Sequence, residues 1–302
     1  MTSFHGPAAA PSPALRSLSP WRDRRGRFCA VRLSAFVAAA APAGWIAYAL
    51  AAGQLGAEPI KQATHLAGTW TLYVLMATLA VTPLKRLLAW PRLAGLRRML
   101  GLATFCYAAA HLVLYAVGQG GDPGRIAGEI ASRTYLTIGF AALIGLAVLA
   151  ATSFDAAIRR LGRTWKRLHR AAYGVTALGL LHFFLQAKID VSGPVVLTGV
   201  FLGLMAHRLG VVIRLGMAAG TLVVAAAAGL AAAGIEYAWY AGTSGIPAGQ
   251  VFLANFDLDH GLRPMWIVMM ICAVPLPLHA LKALSGLPGR LAASRTGMRT
   301  CP

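Results

Sequence analysis

The chain consists largely of apolar runs, each about as long as a transmembrane helix, with short arginine-rich segments between them. Of its 302 residues, 58% are hydrophobic and only 12% are charged, whereas a soluble globular protein carries about 25% charged residues. Because about 20 apolar residues in a helix cross the hydrocarbon core, this pattern predicts an all-α polytopic membrane protein. No segment is long or polar enough to form a soluble nucleotide-binding domain.

Eight apolar runs are predicted to cross the membrane, and they divide the chain into four regions. Residues 1–28 are predicted to form a disordered basic tail, and residues 285–302 a second basic tail. Residues 29–209 hold the first six spans, and residues 210–284 add two spans with an outer loop between them. The predicted spans are residues 31–52, 64–83, 99–118, 134–152, 168–187, 191–209, 212–235 and 263–284.

Prolines and charges set several of the predicted boundaries. The second span is expected to end at Pro83, which cannot continue the helical hydrogen bonding, and Pro275 and Pro277 are expected to kink the eighth. Residues 119–133 are long enough to hold a half-helix at the membrane surface. The arginine-rich segment that begins at Arg159 is predicted to be a loop.

The net charge of +19 is explained by its distribution along the chain. With the N-terminus in the cytoplasm, all but five of the 28 Lys and Arg residues face the cytoplasm, as the positive-inside rule requires. Both termini are therefore predicted to be cytoplasmic, and odd-numbered spans run outward. The basic segments 85–98 and 159–170 are expected to meet anionic lipid head groups and not nucleic acid. The alternative is that they frame a site for a quinone or a flavin.

His111 and His182 form the pair of side chains that best matches a haem site. They lie in the outer halves of the third and fifth predicted spans, which run in the same direction, so both imidazoles are expected at similar depth. Ala108 and Gly179 each precede one of these histidines by about one turn and leave room for a flat macrocycle. Two such imidazoles suit the axial positions of one haem iron. The alternative is that each histidine hydrogen-bonds a neighbouring helix.

His169, at the inner end of the fifth predicted span, is a candidate ligand of a second, inner haem or a polar cap at the helix start. Thirteen helical steps place it about 140° away from His182, so the two do not share one face of an ideal helix. Arg97, and not a histidine, stands fourteen residues before His111. An inner haem would therefore need another partner, and His207 and His279 are the geometric options.

His65 opens the second predicted span at its outer end. It is a candidate for a ligand or a supporting residue near the outer haem. The alternative is that it only caps the helix at the membrane surface.

Six ordered sequence blocks between residues 30 and 209 carry a family resemblance. The blocks are GQLGAEPIKQATHLAGTWTL, ATLAVTPLKRL, LRRMLGLATFCYAAAHLVLY, SRTYLTIGF, LAATS and IRRLGRTWKRLHRAAYGVTALGLLHFFLQAK. They resemble the MsrQ family, also called YedZ, of the ferric-reductase-like transmembrane superfamily. The resemblance implies a six-helix haem bundle, to which this chain adds two C-terminal transmembrane helices. Carried over by position, the family's haem histidines are His111, His169 and His182.

The resemblance implies a haem b subunit, with one or two haems, in a methionine sulfoxide reductase system; family members are also associated with FMN. Such a subunit takes electrons from the respiratory quinone pool in the bacterial inner membrane. It passes them to MsrP, a periplasmic molybdenum enzyme that repairs oxidised methionine. Substrate chemistry is then expected on the partner and not on this chain.

Two other functions are compatible with the residues. A stand-alone ferric or cupric reductase would give its electrons to a metal ion at the outer face, where Glu236, Asp257 and Asp259 are predicted to form an acidic loop. A transporter or scaffold without haem would leave the paired histidines as a coincidence. The acceptor, protein or metal chelate, distinguishes the first from the haem subunit, and the colour of the purified protein tests the second.

Overall fold

A computed structural model describes residue 21 and residues 28–243, 245–257, 259 and 261–284. The predicted tails, residues 1–28 and 285–302, lie almost entirely outside these residues. The described chain is helical, with one short 3-10 helix at Pro91–Gly95. Its helices are α1 (Ala30–Ala51), α2 (Pro59–Leu87), α3 (Leu96–Gly118), α4 (Pro123–Ser132), α5 (Thr134–Ala151), α6 (Asp155–Leu168), α7 (Ala171–Ala187), α8 (Ser192–Arg208), α9 (Val211–Leu215), α10 (Met217–Thr243), α11 (Ala248–Ala254), α12 (Pro264–Ala273) and α13 (Pro275–Leu284).

Six of these elements are long and apolar enough to cross a membrane: α1, α2, α3, α5, α10 and the consecutive pair α12–α13. The helix α7 is apolar but shorter, at 17 residues, and α8 has the same length. All eight predicted spans are helical, so the prediction of an all-α polytopic membrane protein is confirmed. We call the end of the bundle where α2 begins and α3 ends the outer end, and the opposite end the inner end.

Helix α2 is the central element of the first six spans. It packs most extensively against α3 and also contacts α1, α7 and α8, while α5 packs mainly against α7. Half of the apolar segment of α2 is buried, because neighbours cover it on several sides. The bundle therefore contains two closely packed helix pairs, α2 with α3 and α5 with α7.

The prediction that the second span ends at Pro83 is wrong, since α2 continues through this proline to Leu87. Proline has no N–H group, so the carbonyl of Leu79, four residues earlier, loses its usual helical partner. The guanidinium of Arg208 donates to that carbonyl at 2.8 Å and to the hydroxyl of Tyr173 at 2.8 Å. A side chain from α8 thus satisfies the carbonyl that the proline leaves open, and it ties α2, α7 and α8 together.

A tyrosine hydroxyl from α3 is inserted into the backbone hydrogen bonding of α1. The Tyr107 hydroxyl donates to the carbonyl of Ala39 at 2.8 Å and accepts from the N–H of Ala43 at 2.9 Å. These two groups would otherwise bond each other, and the insertion lies next to Pro42, which lacks an N–H of its own. The contact fixes α1 against α3.

Two connections among the first six spans contain α-helices. The predicted half-helix at residues 119–133 is confirmed as α4, and its first turn is capped by the carboxylate of Asp122, which accepts from the N–H of Gly124 at 2.9 Å. The segment that begins at Arg159 was predicted to be a loop, and this is wrong. It lies within α6, whose side chains are not buried in the protein. Charged and apolar residues alternate there with the period of an amphipathic helix, which stabilises a helix at a membrane surface.

The C-terminal helices pack against α8. The helices α8, α10 and α12 are in mutual contact, and glycines allow the close approach. A Cβ atom at Gly203 would stand 2.5 Å from Cys272 Sγ. The hydroxyl of Tyr240 donates to the carbonyl of Ile189 at 2.9 Å, which ties α10 to the α7–α8 connection. The predicted proline kink is confirmed, because the eighth span divides into α12 and α13 at Pro275.

The placement of Glu236 in an exposed acidic loop is wrong. The seventh span extends to Thr243 and includes Glu236, whose side chain is 1% exposed. Its carboxylate accepts from Asn255 Nδ2 at 2.8 Å and pairs with Arg263 at 3.0 Å. These contacts satisfy the buried charge and connect α10 to the segment that follows α11, so Glu236 is not available to a metal ion at the surface.

Candidate functional site

His111 lies on the face of α3 that packs against α2. Its Nδ1 atom is 2.7 Å from the carbonyl oxygen of Thr64. A carbonyl only accepts hydrogen bonds, so Nδ1 of the neutral imidazole must carry the proton and Nε2 must carry the lone pair. The backbone of α2 therefore orients this imidazole and fixes its tautomer.

His182 is held in the same manner by the second helix pair. Its Nδ1 atom is 2.7 Å from the carbonyl oxygen of Tyr135 in the first turn of α5. The Tyr135 ring also stacks on the imidazole, with 6.3 Å between ring centroids and 25° between planes. Nε2 is again left with the lone pair, and neither this atom nor Nε2 of His111 has a hydrogen-bond partner among the described residues.

Two glycines make room for the imidazoles. A Cβ atom at Gly68 would stand 2.9 Å from Nδ1 of His111, and one at Gly139 would stand 2.7 Å from Nδ1 of His182. Each glycine follows the residue with the accepting carbonyl by one helical turn. A larger residue at either position would displace the ring from the carbonyl that orients it, so glycine is required for this contact.

The two half-sites repeat along the sequence with one spacing. His182 follows His111 by 71 residues, as Tyr135 follows Thr64 and Gly139 follows Gly68. Each histidine lies 47 residues after the residue whose carbonyl it contacts. This shared spacing relates the two half-sites to each other, and the prediction of the site did not use it. The spacing alone does not identify the accepting carbonyls.

The two imidazoles face each other across a gap. Their ring centroids are 6.3 Å apart, and the ring planes are inclined at 82°. Two imidazoles bound to opposite sides of one metal ion would have centroids about 6 Å apart, since each metal–nitrogen bond is about 2 Å. The separation and the free Nε2 atoms therefore fit a pair of axial ligands on one iron.

The histidines lie in a cavity of about 690 Å³ at the outer end of the bundle. This volume is within the range of about 300–1,000 Å³ that is typical of sites for organic cofactors. The predicted small residues Ala108 and Gly179 line the cavity beside their histidines. The apolar inner part of the cavity is lined by residues such as Leu75, Leu146 and Val175. The cavity, the two glycine contacts and the oriented imidazoles together fit a haem.

The third predicted ligand, His169, is not in this cavity. It lies at the junction of α6 and α7, where its ring stacks on Trp165 at 4.0 Å between centroids. Its Nδ1 atom is 3.2 Å from the Trp165 carbonyl, and its Nε2 atom is 3.4 Å from Ser153 Oγ. A ligand role for His169 stays a prediction.

The other three candidate histidines lie in different parts of the structure. His65 lines the outer mouth of the cavity that holds His111 and His182, as expected of a residue that supports the haem. That role stays a prediction. His207, near the inner end of α8, has a buried Nδ1 atom that makes no hydrogen bond within the described chain. His279 lies in α13.

A site for a free metal ion is not found in the described part of the chain. No group of three or more His, Cys, Asp or Glu side chains there is arranged to hold one. The burial of Glu236 takes away one of the three carboxylates that supported a stand-alone metal reductase.

Part of the chain that carries the site matches a known protein family. Residues 63–180 match the family model described as "Ferric reductase like transmembrane component". The chain is 41% identical over 195 residues to the Rhodospirillum rubrum protein named "Protein-methionine-sulfoxide reductase heme-binding subunit MsrQ". That match covers 64% of this chain and 91% of the relative.

Other relatives with the same name are similar. The Ralstonia nicotianae protein is 43% identical over 157 residues, which cover 51% of this chain and 72% of the relative. The Caulobacter vibrioides protein is 38% identical over 175 residues, covering 57% of this chain and 83% of the relative. No solved structure matches the chain. At this identity and coverage, the chain belongs to the MsrQ family of the ferric-reductase-like transmembrane superfamily.

Proposed function

We propose that this chain is the haem-binding electron-transfer subunit of a methionine sulfoxide reductase system. The observation that carries the proposal is the pair of imidazoles 6.3 Å apart, each with Nδ1 bonded to a backbone carbonyl and Nε2 directed away from that bond. The names of the relatives, which specify a heme-binding subunit of a methionine sulfoxide reductase, support it. We propose haem b as the group, one per His111–His182 pair.

A haem bound here would supply one-electron oxidation and reduction. His111 and His182 would both hold the iron through Nε2, which would leave no open coordination site for a substrate. The carbonyls of Thr64 and Tyr135 hold the imidazoles in one tautomer and so limit their reorientation when the charge at the site changes. Apolar residues around the inner part of the cavity exclude water. These features favour electron transfer over catalysis at the haem itself.

The position of the cavity supports delivery of electrons at the outer end of the bundle. Because the charge distribution predicts that this end is periplasmic, we propose a periplasmic acceptor, an MsrP-like molybdoenzyme on which the reduction of methionine sulfoxide takes place. We propose a membrane quinol as the donor, and residence in the bacterial inner membrane with both termini cytoplasmic. As part of the same proposal, the chain binds FMN as a further cofactor, and His169 is a ligand of a second haem.

Electron delivery can be tested with the purified protein in lipid nanodiscs. The chain would be reduced with a quinol and then mixed either with an MsrP-like protein or with a ferric chelate, and reoxidation would be followed by absorbance. We expect rapid reoxidation by the protein acceptor and slow reoxidation by the chelate. Rapid reoxidation by the chelate alone would instead identify a metal reductase. No reduction by quinol would show that the donor is a different one.

A further inference from the structure

The cavity that holds His111 and His182 changes in character from its inner part to its mouth. Its inner part is lined by aliphatic side chains, including Leu75, Leu146 and Val175. Its mouth is lined by polar and charged side chains, among them Lys61, His65, Tyr115, Gln119 and Gln186. A ligand with an apolar body and charged substituents therefore fits in one orientation, with the charged substituents at the mouth.

Tyr115 presents a hydroxyl group that the described protein does not use. The residue lies one helical turn beyond His111 toward the outer end, and its side chain lines the cavity. The hydroxyl oxygen is buried and has no hydrogen-bond partner among the described residues. Since buried polar groups in folded proteins are almost always paired, an unpaired hydroxyl beside a cavity indicates a ligand group that accepts its hydrogen bond.

The surroundings of Tyr115 favour an anionic ligand group. Gln186 stands in the equivalent position of the second half-site, one turn beyond His182, and its amide also lines the cavity. His65, on α2, also lines the cavity. On α4 and directly after it, Glu129, Arg133 and Arg125 all act electrostatically on the Tyr115 hydroxyl, and Arg133 is paired with Glu129. The two guanidinium groups outnumber the one carboxylate there. Hydroxyl, amide and imidazole donors with nearby guanidinium groups match the carboxylates that a haem carries on one edge.

We propose that Tyr115, together with His65, binds a haem carboxylate at the mouth of the cavity and so sets the orientation of the haem, with its apolar edge toward the inner end. This inference rests on the proposed function, because it assumes a haem between His111 and His182. It assigns these two side chains a binding role distinct from that of the axial ligands, and it predicts a preference for haem over analogues without free carboxylates.

The preference can be measured by titrating the haem-depleted, detergent-purified full chain with haem and with haem dimethyl ester, in which both carboxylates are esterified. We expect the unaltered protein to bind haem about tenfold or more tightly than the ester, as one charge-assisted hydrogen bond would give. Tyr115→Phe keeps the ring and removes only the donor, so the ratio of the two Kd values should fall toward one. His65→Leu is a second variant, and we expect it to lower the ratio of the two Kd values as well. Tyr48→Phe, on an exposed face of α1, should leave the ratio unchanged.

The outcomes separate the two proposals. If the protein binds either compound with a six-coordinate spectrum but Tyr115→Phe and His65→Leu both keep the original ratio, the carboxylate site is wrong and the axial pair stands. If the unaltered protein binds neither compound, the haem function itself is wrong. Because both variants are read through a ratio within one protein, a general loss of folded protein does not imitate the expected result.

Discussion

The two halves of the histidine site share one plan but lie in different surroundings. In both, an outward-running helix carries the histidine, and the neighbouring helix supplies a carbonyl and a glycine one turn apart. The first half is built on α2, of whose apolar segment 50% is buried, whereas the second is built on α5, of whose segment 11% is buried. The same local geometry is therefore held by a helix that neighbours cover on several sides in one half, and by a more exposed helix in the other.

Comparing the two halves separates the contacts that both half-sites require from the contacts that depend on the surroundings of the supporting helix. The distance from Nδ1 to the carbonyl is 2.7 Å in both halves, although one supporting helix is central and the other is peripheral. The carbonyl and glycine are thus the common requirement. What differs is how far the supporting helix can move when the contact is disturbed, because α5 has few neighbours beyond α3, α4 and α7.

The largest expected effect comes from filling the space at the glycines. Gly68→Ala and Gly139→Ala would each place a Cβ atom less than 3.0 Å from an imidazole nitrogen. We expect haem binding to weaken by about 10–100-fold, the usual cost of disturbing the groups that orient a metal ligand. Gly68→Ala should be the more severe change, since α2 cannot retreat and α5 can move toward lipid.

Haem titration of the purified variants measures this order. Equal losses would mean that the surroundings of the half-sites do not matter. Unchanged affinity in both variants would contradict the contact between glycine and imidazole. Gly174→Ala is the matched control, because a Cβ atom there, on α7, meets nothing within 4 Å.

A smaller effect is expected at the inner end of the bundle, where α2 passes through Pro83. Arg208→Leu would leave the Leu79 carbonyl and the Tyr173 hydroxyl without their partner, at a cost of about 1–3 kcal/mol. Adding Pro83→Ala would restore an N–H for that carbonyl and should recover part of the loss. Thermal unfolding in detergent compares the three proteins. A double variant no more stable than Arg208→Leu would show that Arg208 does not compensate for the proline.

The smallest expected effect is that of Gly174→Ala itself. Replacing glycine by alanine within a helix, where the added methyl group meets no clash, stabilises by about 0.5–1 kcal/mol. We expect a slightly higher unfolding temperature and an unchanged haem spectrum. A loss of haem in this variant would show that α7 tolerates no change near the site, and it would weaken the assignment of the glycine effects to direct contact.

The sequence predicted the helical spans and the matched depth of His111 and His182, because apolar length and helix direction are local properties. It did not predict that α2 passes through Pro83, since the compensating Arg208 is distant in the chain. It placed Glu236 in a loop for a related reason: a carboxylate suggests exposure unless its partners, Asn255 and Arg263, are known.

The carbonyls of Thr64 and Tyr135 could not be recognised by residue type, because every residue has a carbonyl. Only the packing of α2 on α3 and of α5 on α7 shows which ones face the histidines. The 71-residue spacing shared by the two glycines and the two histidines relates the half-sites to each other, but it does not identify a carbonyl. His169, which is predicted as a ligand by resemblance, lies outside the cavity, at the junction of α6 and α7.

The most direct test of the histidine pair is the reduced-minus-oxidised absorption spectrum of the purified protein, with a haem count per chain. It would be recorded for the unaltered chain, His111→Ala, His182→Ala and the control His5→Ala. We predict a six-coordinate b-type spectrum for the unaltered chain. His111→Ala and His182→Ala should each lower the haem count by at least one per chain, and His5→Ala should leave the spectrum and the count unchanged. If His111→Ala and His182→Ala both retained the full spectrum and count, these two histidines would not be the ligands.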